Sequence, residues 1–110
     1  MNASHYTYRV IWSEEDGKFI GLCAEFPGLA RPDPDQGAAL AGVVSLVEQT
    51  VAGMEAKGEP VPKPLSLKKF SGKFMVRTTP ETHRRLAVQA MENGISLNRL
   101  VNSRLQEQGW

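Results

Sequence analysis

The sequence predicts an α+β protein in two parts: a small antiparallel sheet carrying one long helix, then a basic module of one strand and two short helices. Three observations lead to this prediction. Two apolar runs flank a polar turn at residues 14–18, as in a β-hairpin. Apolar residues then recur at helical spacing through residues 40–54. Finally, the side chains of residues 73–78 alternate between two faces, as in a β-strand, and two helical segments follow.

The first sheet begins with a hairpin. Residues 6–12 and 19–24 are the expected strands, with Tyr6, Tyr8, Val10 and Trp12 on one face. Gly17 lies in the turn between them. Ala30-Arg31-Pro32 gives a short third strand after the break at Pro27-Gly28. This order predicts a small antiparallel sheet with one face available to a helix.

A long helix follows the strands. Asp35 is the expected N-cap, and Lys57-Gly58 closes the helix. Its apolar residues are Leu40, Val43, Val44, Val47, Val51 and Met54. At about 1.5 Å per residue, some twenty residues make a helix of roughly 30 Å, long enough to cover a small sheet. Residues 59–72 are the predicted linker, and the alternate prolines Pro60, Pro62 and Pro64 in its first part favour an extended chain.

The strand at residues 73–78 lacks a partner in its half of the chain. Lys73, Met75 and Arg77 occupy one face, and Phe74, Val76 and Thr78 occupy the other. An isolated strand leaves its backbone N–H and C=O groups unpaired. The same strand of a second copy is therefore the expected partner. Two antiparallel copies would present Lys, Met and Arg to a DNA major groove.

Two short helices complete the basic module. Thr79 caps the first, with Pro80 at its first position, and Gly94 ends it. Ser96 caps the second, and Gly109 is expected to mark its end. The predicted dimer core consists of Phe74, Val76, Leu86, Leu97, Leu100 and Val101. A helical hairpin following a strand of an ordinary sheet is the alternative for this segment.

Composition and charge limit the classes of protein to which the chain can belong. The 110 residues are 41% hydrophobic and 23% charged, as in a globular chain. Residues 1–70 hold seven Lys/Arg and nine Asp/Glu, net −2, whereas residues 71–110 hold six and three, net +3. This asymmetry favours nucleic-acid contact through the C-terminal part. The start of the chain has no signal-peptide pattern and the longest uncharged apolar run is short, so we expect a cytoplasmic protein without membrane contact.

No catalytic centre, metal site or cofactor is expected. The single cysteine, Cys23, excludes an internal disulfide and lies in an apolar strand pattern typical of a buried thiol. Glu14, Glu15 and Asp16 lie together in the predicted hairpin turn, where acidic side chains are usually solvated. His5 and His83 have no second ligand at metal spacing. An RNA-processing enzyme with metal-bound carboxylates is therefore disfavoured.

Residues 73–106 resemble the ribbon-helix-helix family of repressors. The matching features are the alternating basic strand, the Thr79-Pro80-Glu81 helix entry and the Gly94-Ile95-Ser96 link. The resemblance implies that Lys73, Met75 and Arg77 read bases, and that Ser96, Leu97 and Asn98 hold the phosphate backbone. Met75 departs from the usual polar residue. It can contact a thymine methyl but cannot form a bidentate hydrogen-bond pair.

The first half resembles the N-terminal domain of HicB antitoxins, a partial RNase H-like fold. The resemblance rests on the Tyr-rich strand, the acidic turn, Glu25-Phe26-Pro27-Gly28-Leu29 and the Pro-rich exit at residues 58–64. Residues 32–35 and 36–39 depart from the family, in which many members have a Gly-Asp or Gly-Glu pair before the helix and a glutamate-rich helix start. The implied domains are residues 1–58 for toxin binding, 59–72 as linker, and 73–110 for dimerisation and DNA binding.

The resemblance implies an antitoxin that is also a transcription repressor. Its expected partners are a HicA-type toxin, operator DNA and a second copy of the chain, and a tetramer through the N-terminal domains stays open. The toxin surface is expected at Glu25, Phe26, Pro27, Gly28 and Leu29, where a simple turn is the alternative. The rival functions are a stand-alone repressor whose N-terminal domain senses a ligand or oligomerises, and a toxin neutraliser with a vestigial C-terminal dimeriser.

Overall fold

The computed structural model describes residues 2–107 of the chain. It divides into two compact units, Met1–Phe70 and Ser71–Trp110. The described residues form one three-stranded antiparallel sheet and three α-helices. The predicted α+β class, with a small antiparallel sheet and a long helix, is confirmed at this level.

The sheet of the first unit is built from β1 (Tyr8–Ser13), β2 (Lys18–Cys23) and β3 (Ala30–Asp33), in the order β1-β2-β3. Ser13 pairs with Lys18 at the end of the hairpin, and Gly17 adopts a φ of 62° in the turn. The first strand begins later than predicted. Tyr6 instead follows a short 3-10 turn, Ala3–His5, and its ring is buried in the core.

Helix α1 (Gln36–Ala56) lies against the sheet as predicted. The Asp35 side chain accepts a hydrogen bond from the Ala38 N–H at 2.9 Å, and Gly58 follows the helix with a φ of 71°. The buried residues of the helix are Ala39, Val43, Val47 and Val51. A Cβ atom at Gly21 of β2 would lie 2.5 Å from the Ala39 carbonyl oxygen. Gly21 therefore permits the close approach of helix and sheet.

The core of the first unit lies at one end of the sheet. It gathers Ala3, Tyr6, Cys23, Phe26, Val47 and Val51. The Tyr6 and Phe26 rings meet edge to face with centroids 5.2 Å apart. Trp12, predicted on the apolar face, pairs with Phe19 close to the turn and is 51% exposed.

By length and composition, α1 is the one helix within residues 2–107 that is long and apolar enough to cross a membrane. The core helix of a small domain meets the same criteria. Val43 and Val47 of this helix have no exposed surface, whereas Leu40 is 43% exposed.

The second unit contains α2 (Pro80–Glu92) and α3 (Leu97–Gln106). The Thr79 hydroxyl accepts a hydrogen bond from the Thr82 N–H, and the Ser96 hydroxyl accepts one from the Arg99 N–H, so both predicted N-caps are confirmed. Gly94 ends α2 with a φ of 67°. The predicted end of the last helix at Gly109 lies outside the described residues.

Candidate nucleic-acid interface

The segment before α2 is extended and solvent-exposed. Residues 73–79 belong to no β-strand in the single chain. Lys73 and Arg77 are exposed, and Met75 is 83% exposed. Phe74 and Val76 are also 76% and 68% exposed, although both are large apolar side chains. Exposing large apolar side chains to water is unfavourable, and such a segment is stabilised when another surface covers it.

An apolar groove of about 770 Å³ runs alongside this segment within the second unit. Five of the six residues predicted as dimer core line it, namely Phe74, Val76, Leu86, Leu97 and Val101. The sixth, Leu100, is 4% exposed and lies inside the unit. Among the alternating residues of the segment, Lys73 lines the groove, whereas Met75 and Arg77 do not. The groove is therefore an unfilled apolar surface bordered by exposed basic side chains.

Other residues that line the groove were not predicted as part of the dimer core. They include Thr82, His83, Asn98, Asn102 and Leu105. Leu105 follows Leu97 and Val101 at helical spacing, and that spacing could have placed it with them. The polar members carry no such signal, because their position depends on how α2 and α3 pack together.

The start of α3 supplies a second polar feature. Ser96 caps the helix through its side chain, and its carbonyl oxygen accepts the Leu100 N–H at 3.0 Å. The N–H groups of Leu97 and Asn98 lie in the first turn, where an α-helix offers them no internal acceptor. Such a turn carries a partial positive charge that favours an anion.

The segment Glu25–Leu29 of the first unit has a mixed character. The Glu25 carboxylate accepts hydrogen bonds from the Thr7 N–H at 2.9 Å and from the Leu65 N–H at 2.8 Å. Phe26 is buried, and Leu29 packs against the core. Pro27 and Gly28 are exposed. Only the middle of this segment is thus free to contact a partner without disturbing the fold.

The ionised form of Glu25 stabilises the first unit. Burial alone would raise the pKa of Glu25, but hydrogen bonds from the Leu65 and Thr7 N–H groups outweigh it and hold the pKa below its ordinary value. The stabilisation is present above the ordinary carboxyl pKa and is lost as pH falls through the lowered one. We expect Glu25→Gln to flatten the pH dependence of the free energy of unfolding below about pH 4.3, measured by urea titration.

Glu15→Gln, in the exposed hairpin turn, is the control for that titration. This control should leave the pH dependence of the free energy of unfolding at acid pH unchanged. This role of Glu25 would be contradicted if the free energy of unfolding fell equally steeply at acid pH in Glu25→Gln and in the unmodified chain.

The remaining reactive groups are protected rather than activated. Cys23 is 3% exposed, and burial raises the pKa of its thiol. Burial likewise raises the pKa of Tyr8 to about 12. Within residues 2–107, no three His, Cys, Asp or Glu side chains are grouped so that they could hold a metal ion. The described residues thus offer exposed basic and apolar surface rather than an assembled reactive centre.

Residues 57–105 match the family model described as HicB family. The match covers the Pro-rich segment and almost all of the described second unit. Antitoxins make up this family, and they are in general not enzymes. No curated protein and no solved structure matches the chain.

Proposed function

Starting from the match of residues 57–105 to the HicB family, we propose that this chain is the antitoxin of a type II toxin–antitoxin system. It neutralises an mRNA-cleaving toxin of the HicA type by covering its active site, and it represses its own operon by binding operator DNA. The observation that carries the DNA-binding half is the apolar groove flanked by Phe74 and Val76, which a single chain leaves open.

A second copy of the chain fills this groove in the proposed assembly. Residues 73–78 of the two copies pair as an antiparallel ribbon, which satisfies their backbone N–H and C=O groups. Phe74 and Val76 then face the helices, and Lys73, Met75 and Arg77 face outward. This is the ribbon-helix-helix arrangement, with the ribbon in the DNA major groove. The first unit, in this proposal a partial RNase H-like domain, binds the toxin.

Arg77 is the residue most suited to specific base contact. It is exposed on the outward side of the segment, and a guanidinium can bind guanine through two hydrogen bonds. We expect Arg77→Ala to weaken operator binding by about 1–3 kcal/mol and to relax the preference for one base pair. Fluorescence anisotropy with the DNA upstream of the operon, and with single-base variants of it, measures both effects.

Arg9→Ala is the matched control, since Arg9 is an exposed arginine of β1 in the other unit. It removes the same charge and should leave affinity and base preference unchanged. Equal losses in the two variants would assign Arg77 a general electrostatic role. Unchanged affinity and selectivity in Arg77→Ala would remove it from the interface.

Phosphate contact is proposed for the first turn of α3, at Ser96, Leu97 and Asn98. The helix N-terminus and the net charge of +3 in residues 71–110 both favour an anion. The logarithm of the binding constant should therefore fall linearly with the logarithm of the salt concentration. A salt-independent affinity would exclude phosphate neutralisation as the source of binding.

The toxin-binding half rests on the family match and on the resemblance of the first unit, and the exposed Pro27-Gly28 turn is the proposed contact. The deciding experiment is purification of the chain from its native cells, with mass spectrometry of any protein that accompanies it. A small protein that cleaves RNA once released supports the antitoxin. A DNA-binding dimer without such a companion favours a stand-alone repressor.

A further inference from the structure

The Pro-rich segment after α1 is held along the first unit. The Glu59 N–H donates to the Met54 carbonyl at 2.9 Å, and the Tyr6 hydroxyl donates to the Pro62 carbonyl at 2.7 Å. The Leu65 N–H donates to Glu25, and the Ser66 hydroxyl donates to the His5 carbonyl at 2.6 Å. Residues 60–66, here called the strap, are thus attached at three points to residues that lie 40 to 61 positions away in sequence.

Glu25 is the centre of these attachments. One of its carboxylate oxygens, Oε2, accepts from the Leu65 N–H at 2.8 Å and from the Thr7 hydroxyl at 3.1 Å. The other, Oε1, accepts from the Thr7 N–H. A single ionised side chain, in the turn after β2, therefore joins the residue before β1 to the strap. Bonds to a charged acceptor are stronger than those between neutral groups.

Two apolar side chains hold the strap in addition to these bonds, and its other residues are more exposed. Pro64 is fully buried and Val61 packs against the core, whereas Lys63, Leu65 and Ser66 are exposed. Segments with few buried apolar contacts and exposed hydrogen bonds open locally without unfolding the domain. Pro at alternate positions keeps such a released segment extended.

We propose that the strap, held by Glu25, is a releasable tether that sets the length of free chain between the two units. With the strap closed, the last turn-forming residue is Lys68, and the exposed residues 69–72 follow it. At about 3.5 Å per residue, these span at most roughly 14 Å. With the strap released, residues 60–72 are free and span up to about 45 Å. The inference does not depend on the proposed antitoxin function.

The test uses the full chain with Glu25→Gln, and separately with Tyr6→Phe combined with Ser66→Ala. The first weakens the bond to Leu65, and the second removes only the two hydroxyl donors. Hydrogen exchange of the Leu65 amide is expected to accelerate at least tenfold in both. The maximum dimension from small-angle X-ray scattering is expected to increase, while the near-ultraviolet circular dichroism of the first unit is retained.

Ser13→Ala is the control, because it deletes a hydroxyl that bonds Asp16 within the hairpin turn. It should alter neither the Leu65 exchange rate nor the maximum dimension. Unchanged exchange in both test variants would overturn the proposal, as would faster exchange without any increase in dimension. Loss of the near-ultraviolet signal in both would also overturn it, since the contacts would then be part of the core.

Discussion

Phe74→Ala is expected to leave a folded monomer that no longer binds operator DNA. Phe74 is 76% exposed in the single chain, so its truncation removes little burial within one copy. In the proposed dimer the ring fills the groove against Leu86, Leu97 and Val101. Truncating a buried Phe typically costs about 3–5 kcal/mol, and the dimer loses two such rings. Sedimentation equilibrium measures the association, and fluorescence anisotropy measures DNA binding.

Met75→Ala is the matched control for that experiment. Met75 is 83% exposed and does not line the groove, so its removal should leave the dimer intact. Any effect of this variant should fall on DNA binding alone. A Phe74→Ala chain that stays dimeric, or a monomeric one that still binds operator DNA, would contradict the ribbon arrangement.

The second large effect is expected at Gly21, where an added methyl group should destabilise the first unit. A Cβ at this position would lie 2.5 Å from the Ala39 carbonyl oxygen and 2.9 Å from the Val43 Cβ. Because the nearest atom belongs to the helix backbone, α1 itself has to move. Overpacking of this kind costs about 1–3 kcal/mol, and occasionally more. Urea unfolding of Gly21→Ala should show a lower midpoint with an unchanged slope.

Two other glycines provide the comparison. A Cβ at Gly28 or at Gly53 would meet no atom within 4 Å. Gly28→Ala should be close to neutral. Gly53→Ala, within α1, should raise the free energy of unfolding by about 0.5–1 kcal/mol, because alanine favours the helix. If all three variants behaved alike, close helix–sheet contact at Gly21 would not be the cause.

The features that sequence alone determined are those with local causes. Asp35, Thr79 and Ser96 were predicted as N-caps, because a short oxygen-bearing side chain bonds an N–H two or three residues ahead. Gly94 was predicted as a helix end because positive φ suits glycine. The hairpin and α1 follow from apolar periodicity. The HicB family match overlaps residues 73–106, whose ribbon-helix-helix resemblance stays a prediction.

The tertiary structure alone decided the features that depend on distant residues. Tyr6 lies outside the strand predicted for it, because its ring packs on Phe26 and its hydroxyl donates to the Pro62 carbonyl. The Glu25 carboxylate bonds the N–H groups of Thr7 and Leu65, which lie 18 and 40 positions away in sequence. No local pattern specifies such pairs, since the partners are far apart in sequence and meet only when the sheet and helix have packed. Periodicity and capping act over a few residues, whereas these contacts require the folded chain.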